Sequence, residues 1–306
     1  MCITITKSMI DEALDFYNIS DSEYKEKCYD CIYELEKNKE YQDKIKEVYN
    51  ILFVDENDRI RDLWNIKELS DLFCNIKNPF ITNVLLLSGY KVHKCNIEKY
   101  HLDNEQIEIN KKRVRESLLN DINIRKYSGI RISQMLWGAY FINLRIIEVG
   151  RLQYEFIKFN PLNEKEYKKC IKIHIPSGEK LIEEQVKQSI IKSKVEILKY
   201  FNLRNPDYYC SSWLLSPTIN KAIDKSSNIS KFYDMFEILE EKDGIDDVLN
   251  FVFNVKQCNN YTELEEYTSL QIKVKEMLLN REKLTIGVGI LKNRIKNLGG
   301  VRNKVT

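Results

Sequence analysis

The sequence predicts an α/β (α+β) fold, with a helical N-terminal domain followed by a mixed β-sheet flanked by helices. Two observations support it. Apolar residues of the first 125 positions recur at helical spacing, whereas strict alternation of apolar and polar residues begins only after Arg125. A chain of 306 residues is also long enough for two separate cores. We therefore expect a helical domain over residues 1–125 and a second domain over residues 126–306.

The helices of the first part are predicted from caps and apolar stripes. Ser20 followed by Glu23 fits a capping box, in which each side chain satisfies a free amide of the first turn. The apolar residues that follow lie on one helical face: Tyr24, Cys28, Cys31 and Leu35. Further helices are predicted around Ile66–Cys74, Pro79–Leu87 and Ile107–Ile122.

The second part alternates between strand and helix patterns. In Leu152–Phe159 and in Cys170–Ile175, apolar and polar residues follow each other with period two, which indicates strands with one buried face. Further strands are predicted at Tyr208–Leu215, Phe232–Leu239, Val248–Val255 and Leu284–Leu291. Helices are predicted at Met135–Val149, Leu181–Phe201 and Leu264–Leu279. Strands interspersed with helices predict a mixed sheet.

Composition narrows the possible functions. The chain is 43% hydrophobic and 31% charged, which is typical of a globular protein, and its net charge is only +2. The first part is acidic and the second mildly basic, without a dense basic patch, so nucleic acid is not an expected partner. No apolar run approaches the ~18 residues of a membrane span, and the N-terminus has no signal-peptide pattern. We expect a cytoplasmic protein.

The cysteines and acidic clusters do not predict a metal site. Cys28 and Cys31 form a CxxC pair, but a zinc site needs a second pair, and the other cysteines are isolated. Spacing of three on an amphipathic helix places both thiols on one face, which favours core cysteines. The acidic segment Asp55–Asp58 is next to Arg59 and Arg61, which favours a solvated loop.

Five short motifs of the second part carry a resemblance to a known family. They are Gly150-Arg151-Leu152-Gln153-Tyr154-Glu155, His174-Ile175-Pro176-Ser177-Gly178, Cys210 with Ser212-Trp213-Leu214-Leu215, Ser227-Asn228-Ile229 with Phe232, and Thr268-Ser269-Leu270-Gln271. In this order they resemble bacterial two-domain N-acyltransferases, which have a helical N-terminal domain and a GNAT-like C-terminal domain. The resemblance covers about residues 126–290.

The resemblance implies transfer of an acyl group from a thioester to the amine of a small molecule. The family lacks the glycine-rich pyrophosphate loop of ordinary GNAT enzymes, and this chain has only Ser177-Gly178-Glu179-Lys180 between strand and helix. The donor therefore stays open between acyl-CoA and acyl-carrier protein. In a GNAT-like fold the sheet splays between two central strands, for which Cys170–Ile175 and Tyr208–Leu215 are the candidates.

The donor-binding residues are expected in the loop after the first of these strands. The amides at the N-terminus of the helix Leu181–Phe201 form a natural phosphate seat. Ser177, Gly178 and Lys180 would then hold the phosphate or diphosphate of the donor. The alternative is an ordinary strand–helix turn, with Gly178 supplying backbone freedom and Lys180 solvated.

Three residues are the candidates for catalysis. His174 lies at a strand end opposite the isoleucine face and is suited to take the proton of an attacking amine. Glu155 would orient His174 or bind the ammonium form of the amine, and Ser212 would donate to the thiolate or the oxyanion. The alternatives are a histidine bonded to backbone, a solvent-facing carboxylate and a buried serine bonded to backbone. Cys210 as a covalent acyl carrier is less favoured than direct attack in a ternary complex.

Two other functions remain open at the level of sequence. One is a non-catalytic module that keeps the GNAT-like fold and senses acyl-CoA. The other is an acyltransferase whose acceptor is carrier-bound or a peptide of a biosynthetic cluster. Fold alone does not decide between them.

Overall fold

The computed structural model describes residues 4–53, 77–125, 129–159 and 168–292. The fold divides into two compact units, Met1–Glu148 and Val149–Thr306. The boundary at residues 125/126 remains a prediction about where the folding domains separate. Within the described residues, no helix combines the length and the apolar character needed to cross a lipid bilayer.

The first unit is built from helices. Those described are α1 (Lys7–Phe16), α2 (Ser22–Glu36), α3 (Lys39–Phe53), α4 (Ile81–Ser88), α5 (Tyr90–Lys99), α6 (Asn104–Arg125) and α7 (Ile132–Ile142). Every residue of α4 is buried, and α1, α2, α3 and α7 all pack against it. Because α4 is buried on all sides, it lies at the centre of this core, and its polar residues Thr82, Asn83 and Ser88 are hydrogen-bonded there.

Helix α2 begins one residue later than the capping box predicts. Its N-cap is Asp21, whose Oδ1 accepts a hydrogen bond from the Tyr24 backbone N at 3.0 Å. The predicted cap, Ser20, was wrong because the neighbouring carboxylate is in the capping position. Cys28 and Cys31 are buried in the core, as expected, and burial raises the pKa of Cys31 to about 12.

Two of the other predicted helices correspond to α4 and α6. The predicted helix Ile66–Cys74 and the acidic segment Asp55–Asp58 lie outside the described residues.

A six-stranded mixed sheet forms the rest of the fold, which confirms the predicted α+β class. Its strands are β1 (Ile146–Val149), β2 (Leu152–Phe159), β3 (Lys168–His174), β4 (Tyr208–Ser212), β5 (Phe236–Asp243) and β6 (Thr285–Leu291), in the order β1-β2-β3-β4-β6-β5. The pairs β2/β3, β4/β6 and β5/β6 are antiparallel, and β3/β4 is parallel. The helices are α8 (Glu183–Phe201), α9 (Pro217–Ala222), α10 (Asn228–Tyr233), α11 (Ile245–Phe253) and α12 (Ser269–Leu279).

Helix α8 covers the apolar face of β2 and β3. The Tyr154 hydroxyl lies 2.7 Å from Oγ of Ser189, and the ring of Phe156 stacks on Phe201 with centroids 5.1 Å apart. Cross-strand partners share a face, so Ile171 and the other isoleucine of β3 are on this buried side. The polar residues of both strands therefore face the opposite side.

Several predicted elements differ from the structure. The predicted helix Met135–Val149 ends at Ile142, and its last four residues form β1. The segment Phe232–Leu239 is the end of α10 followed by the start of β5. The predicted strand Val248–Val255 is helix α11, because its apolar residues at 248, 249, 252 and 253 line one helical face.

Gly287 on β6 allows the closest backbone approach within the sheet. A Cβ at this position would lie 2.0 Å from the backbone oxygen of Leu215, in the 3₁₀ turn that follows β4. We expect Gly287→Ala to lower the free energy of unfolding by about 1–3 kcal/mol, because backbone atoms have to shift. Chemical denaturation measures this change.

Gly289→Ala on the same strand is the matched control. A Cβ at Gly289 would lie 3.1 Å from the backbone oxygen of Glu237. We therefore expect a smaller decrease in the free energy of unfolding than for Gly287→Ala. Equal unfolding midpoints for the two variants would contradict the close approach at Gly287.

Candidate active site

The parallel strands β3 and β4 pair over only two positions. The register joins Ile171 to Tyr208 and Lys172 to Tyr209, and the backbone N of Ile171 donates to the carbonyl of Asp207 at 2.9 Å. Beyond these pairs, the described ends of the two strands make no further ladder pairs with each other, while β4 continues to pair with β6. Loss of pairing at the C-terminal ends is what a splayed sheet requires.

His174 and Glu155 meet at this end of the sheet. Nε2 of His174 lies 2.7 Å from Oε2 of Glu155. The antiparallel register places His174 opposite Gln153 and Glu155 opposite Lys172, so the two side chains are diagonal neighbours on one face. The side chain of Glu155 is only 6% exposed, whereas that of His174 is 21% exposed.

This pair has the geometry of a base with its orienting carboxylate. A buried carboxylate bonded to one ring nitrogen fixes the orientation of the imidazole and stabilises the imidazolium that forms when the other nitrogen takes a proton. Part of the His174 ring is exposed to solvent. Two of the three predicted catalytic residues are thus in contact, although their sequence separation is 19 residues.

Ser212 is the last residue of β4 and caps the 3₁₀ turn Trp213–Leu215, which the sequence predicted as part of the strand. Its Oγ accepts a hydrogen bond from the backbone N of Leu214 at 3.2 Å. Because side chains alternate along β4, Ser212 lies on the same face of the sheet as Tyr208. This face is covered by α8, whereas His174 lies on the opposite face. The capping bond uses the oxygen as acceptor and leaves the hydroxyl hydrogen to donate elsewhere. Its catalytic role stays a prediction.

The loop between β3 and α8 is exposed and held by a residue that sequence analysis did not select. Arg151 donates from Nη2 to the carbonyl of Glu179 at 2.6 Å and from Nε to the carbonyl of Lys180 at 3.2 Å. Arg151 itself is buried. The only sequence signal for it was its place in the motif that begins at Gly150. A buried guanidinium bound to two carbonyls fixes the path of the loop.

The three predicted donor-binding residues lie in this loop. Ser177, Gly178 and Lys180 are all exposed, and Gly178 has φ +103° with open space where a Cβ would stand. The N-cap of α8, Ile182, makes no side-chain capping bond, so the N-cap side chain does not satisfy any amide of the first turn. Their role in binding a donor phosphate remains a prediction.

An acidic residue already lies in the first turn of α8. Glu183 accepts from Nζ of Lys187 at 2.6 Å, a hydrogen bond that lowers the pKa of this exposed carboxyl, and Lys231 lies 3.9 Å from its other oxygen. A phosphate at this helix end would compete with the Glu183 carboxylate for the amides of the first turn of α8. It would also compete for Lys187 and Lys231.

Cys210 is not suited to carry an acyl group. It is fully buried in β4, and burial raises the pKa of its thiol to about 12. The thiolate is the nucleophilic form, so the thiol is unreactive at neutral pH. The geometry favours direct attack over a Cys210 acyl-enzyme.

Residues 146–291 match the protein family described as GNAT-like C-terminal domain. An acyltransferase in complex with decanoyl-CoA has the same fold with a TM-score of 0.67 and 17% identity, over 81% of this chain and 76% of that chain. An acyltransferase in complex with decanoyl-CoA and teicoplanin has a TM-score of 0.71 and 14% identity, over 92% of this chain and 87% of that chain. An acyltransferase mutant in complex with octanoyl-CoA has a TM-score of 0.72 and 14% identity, over 93% of this chain and 88% of that chain. No curated protein matches the sequence.

These comparisons confirm the resemblance that the motifs predicted. Residues 146–291 match the model of the GNAT-like C-terminal domain, and the chain shares its fold with solved acyltransferases. At 14–17% identity the structural likeness establishes the fold.

The burial of Cys210 predicts its reactivity. We expect iodoacetamide at pH 7.5 to alkylate the exposed Cys95 rapidly in the folded protein and to leave Cys210 unmodified, because its thiol is both protonated and inaccessible. Peptide mass spectrometry measures both sites in one sample. Denatured protein, in which both should react, is the control, and labelling of Cys210 at the rate of Cys95 would contradict its assignment as a core thiol.

Proposed function

We propose that this protein is an acyltransferase that moves an acyl group from an acyl thioester to the amine of a small molecule, by direct attack in a ternary complex. The observation that carries the proposal is the His174–Glu155 pair. It lies in a GNAT-like domain, beside the point where pairing between β3 and β4 stops.

Acyl-CoA is the donor that the comparisons favour. The solved acyltransferases of the same fold contain decanoyl-CoA, octanoyl-CoA or CoA. In this chain the donor phosphates would lie at the loop of Ser177, Gly178 and Lys180, with the thioester at the splay. An acyl-carrier protein is the alternative donor, because the loop is short and has no glycine-rich segment.

The proposed reaction needs one base. The amine nitrogen forms a bond to the thioester carbonyl carbon, His174 takes a proton from that nitrogen, and the tetrahedral intermediate expels the donor thiolate. Glu155 stabilises the resulting imidazolium, and the proton passes to the thiolate to give the free thiol. The products are an amide and CoA. The proposal includes a cytoplasmic location, where acyl-CoA is available.

The acceptor is proposed from the chemistry of the site. One of the solved acyltransferases is in complex with teicoplanin. For this chain we propose a small-molecule amine, from which the His174 imidazole can take the proton that is lost during attack. Thiol release from acyl-CoA in the presence of mixed amines tests this, and binding without release would instead indicate a sensing module.

Replacement of His174 tests its role as the base. We expect His174→Ala to lower kcat by about 10²–10⁴-fold, while the Kd for acyl-CoA stays within a factor of two or three of that of the wild type. The variant should regain rate at high pH, where more of the amine is already deprotonated. Thiol release across pH 6–10 measures both effects.

Glu155→Gln is the companion variant. It keeps the size of the side chain but cannot stabilise the imidazolium, so we expect a smaller loss of kcat than for His174→Ala. Retention of half the wild-type turnover by His174→Ala at neutral pH would exclude His174 as the base.

The loop residues are tested through the donor. We expect Lys180→Ala to raise the KM for acyl-CoA several-fold with kcat unchanged, because a single exposed charge contact is lost. The KM for the corresponding acyl-pantetheine, which lacks the phosphates, should not change.

Lys192→Ala, at an exposed lysine of α8 itself, is the control for the loss of a positive charge. An equal rise in KM for both lysine variants, or for both donors, would remove the loop from donor binding.

A further inference from the structure

Lys172 lies on the same face of the sheet as the proposed base. The β2/β3 register places it directly opposite Glu155 and two residues before His174. Neighbours on one face of a strand are separated by roughly 7 Å along the chain. Lys172 also forms the last pair with β4, through Tyr209, before pairing stops. The side chain of Lys172 therefore begins where pairing between β3 and β4 ends.

Lys172 is partly buried and forms no salt bridge with a described residue. Glu155, the nearest carboxylate across the strands, already binds His174. Burial and the neighbouring Asp246 raise the pKa of Asp247 on α11, while the charge of Lys172 acts in the opposite direction. Lys172 and Asp247 thus attract each other at a distance longer than an ion pair.

A partly buried lysine that forms no salt bridge is suited to bind an anion. Removal of a cation from water is costly unless another group replaces the lost hydrogen bonds. The donor phosphates are separated from the thioester by the whole pantetheine arm. Lys172, by contrast, is the next residue before His174 on the same face of β3. An anion at Lys172 therefore belongs to the molecule whose amine His174 deprotonates.

We propose that Lys172 binds a carboxylate of the acceptor, so that the acceptors are small molecules that carry an amine and a carboxylate close together, as α-amino acids do. The inference rests on the proposed function of the site. Asp247 competes with the acceptor carboxylate for Lys172 and so limits the affinity of the site for it.

A competition experiment tests this preference. Wild-type protein receives decanoyl-CoA with an equimolar mixture of the common α-amino acids and the amines formed by their decarboxylation. Mass spectrometry gives the ratio of N-acyl amino acid to N-acyl amine, which does not depend on how much of the protein is folded. We expect the amino acid products to dominate in the wild type.

Three variants give the expected changes in that ratio. Lys172→Met should lower it by about 10- to 100-fold, the equivalent of one charge-assisted hydrogen bond. Lys172→Arg should retain most of it, because the positive charge remains. Asp247→Asn should raise it, since a competing carboxylate is removed.

The outcomes separate the inference from the proposed function. An unchanged ratio in Lys172→Met, with both product classes still formed, would overturn the carboxylate site and leave the acyltransferase in place. An equal loss of both products would overturn it too, because Lys172 would then act on the reaction itself. If the wild type forms neither product, the proposed function is wrong, and this inference with it.

Discussion

The antiparallel register of β2 and β3 is the constraint on which the rest of the site depends. It pairs Glu155 with Lys172 and Gln153 with His174, and so brings a carboxylate, a histidine and a lysine to one face. A slip of one residue would turn these polar side chains into the core beneath α8 and expose the aromatic residues of β2. The packing of Tyr154 and Phe156 against α8 prevents that slip, so burial of the apolar face also fixes the polar one.

The second constraint is the short contact between β3 and β4. Two paired positions hold the parallel strands together, and β4 then satisfies its backbone through β6 instead. The 3₁₀ turn capped by Ser212 lies against Gly287, where a side chain would meet backbone. The sheet can open next to His174 because the pairs of β4 with β6 and the turn after β4 keep that strand in place. The same strand, β4, therefore separates from β3 and remains anchored to β6.

Charge on the polar face is arranged around this opening. Glu155 is committed to His174, Asp247 attracts Lys172 from α11, and Arg151 holds the loop that leads into α8. Burial of such charged groups is costly unless hydrogen bonds or opposite charges offset it. His174 and the loop consequently have defined positions before any ligand binds. Preorganisation of this kind is what catalysis by positioning requires.

The sequence by itself determined the α+β class, the strands of the alternating segments, the GNAT-like character of the C-terminal part and the choice of His174 and Glu155. These depend on local periodicity and on motifs, which are properties of short segments. It misassigned α11 as a strand, although the apolar residues at positions 248, 249, 252 and 253 recur at helical spacing. Only the tertiary structure showed that Arg151 holds the loop and that Lys172 is opposite Glu155. The physical reason is register: strand pairing brings together residues that are far apart in the chain, and no local pattern records which residue lies opposite which.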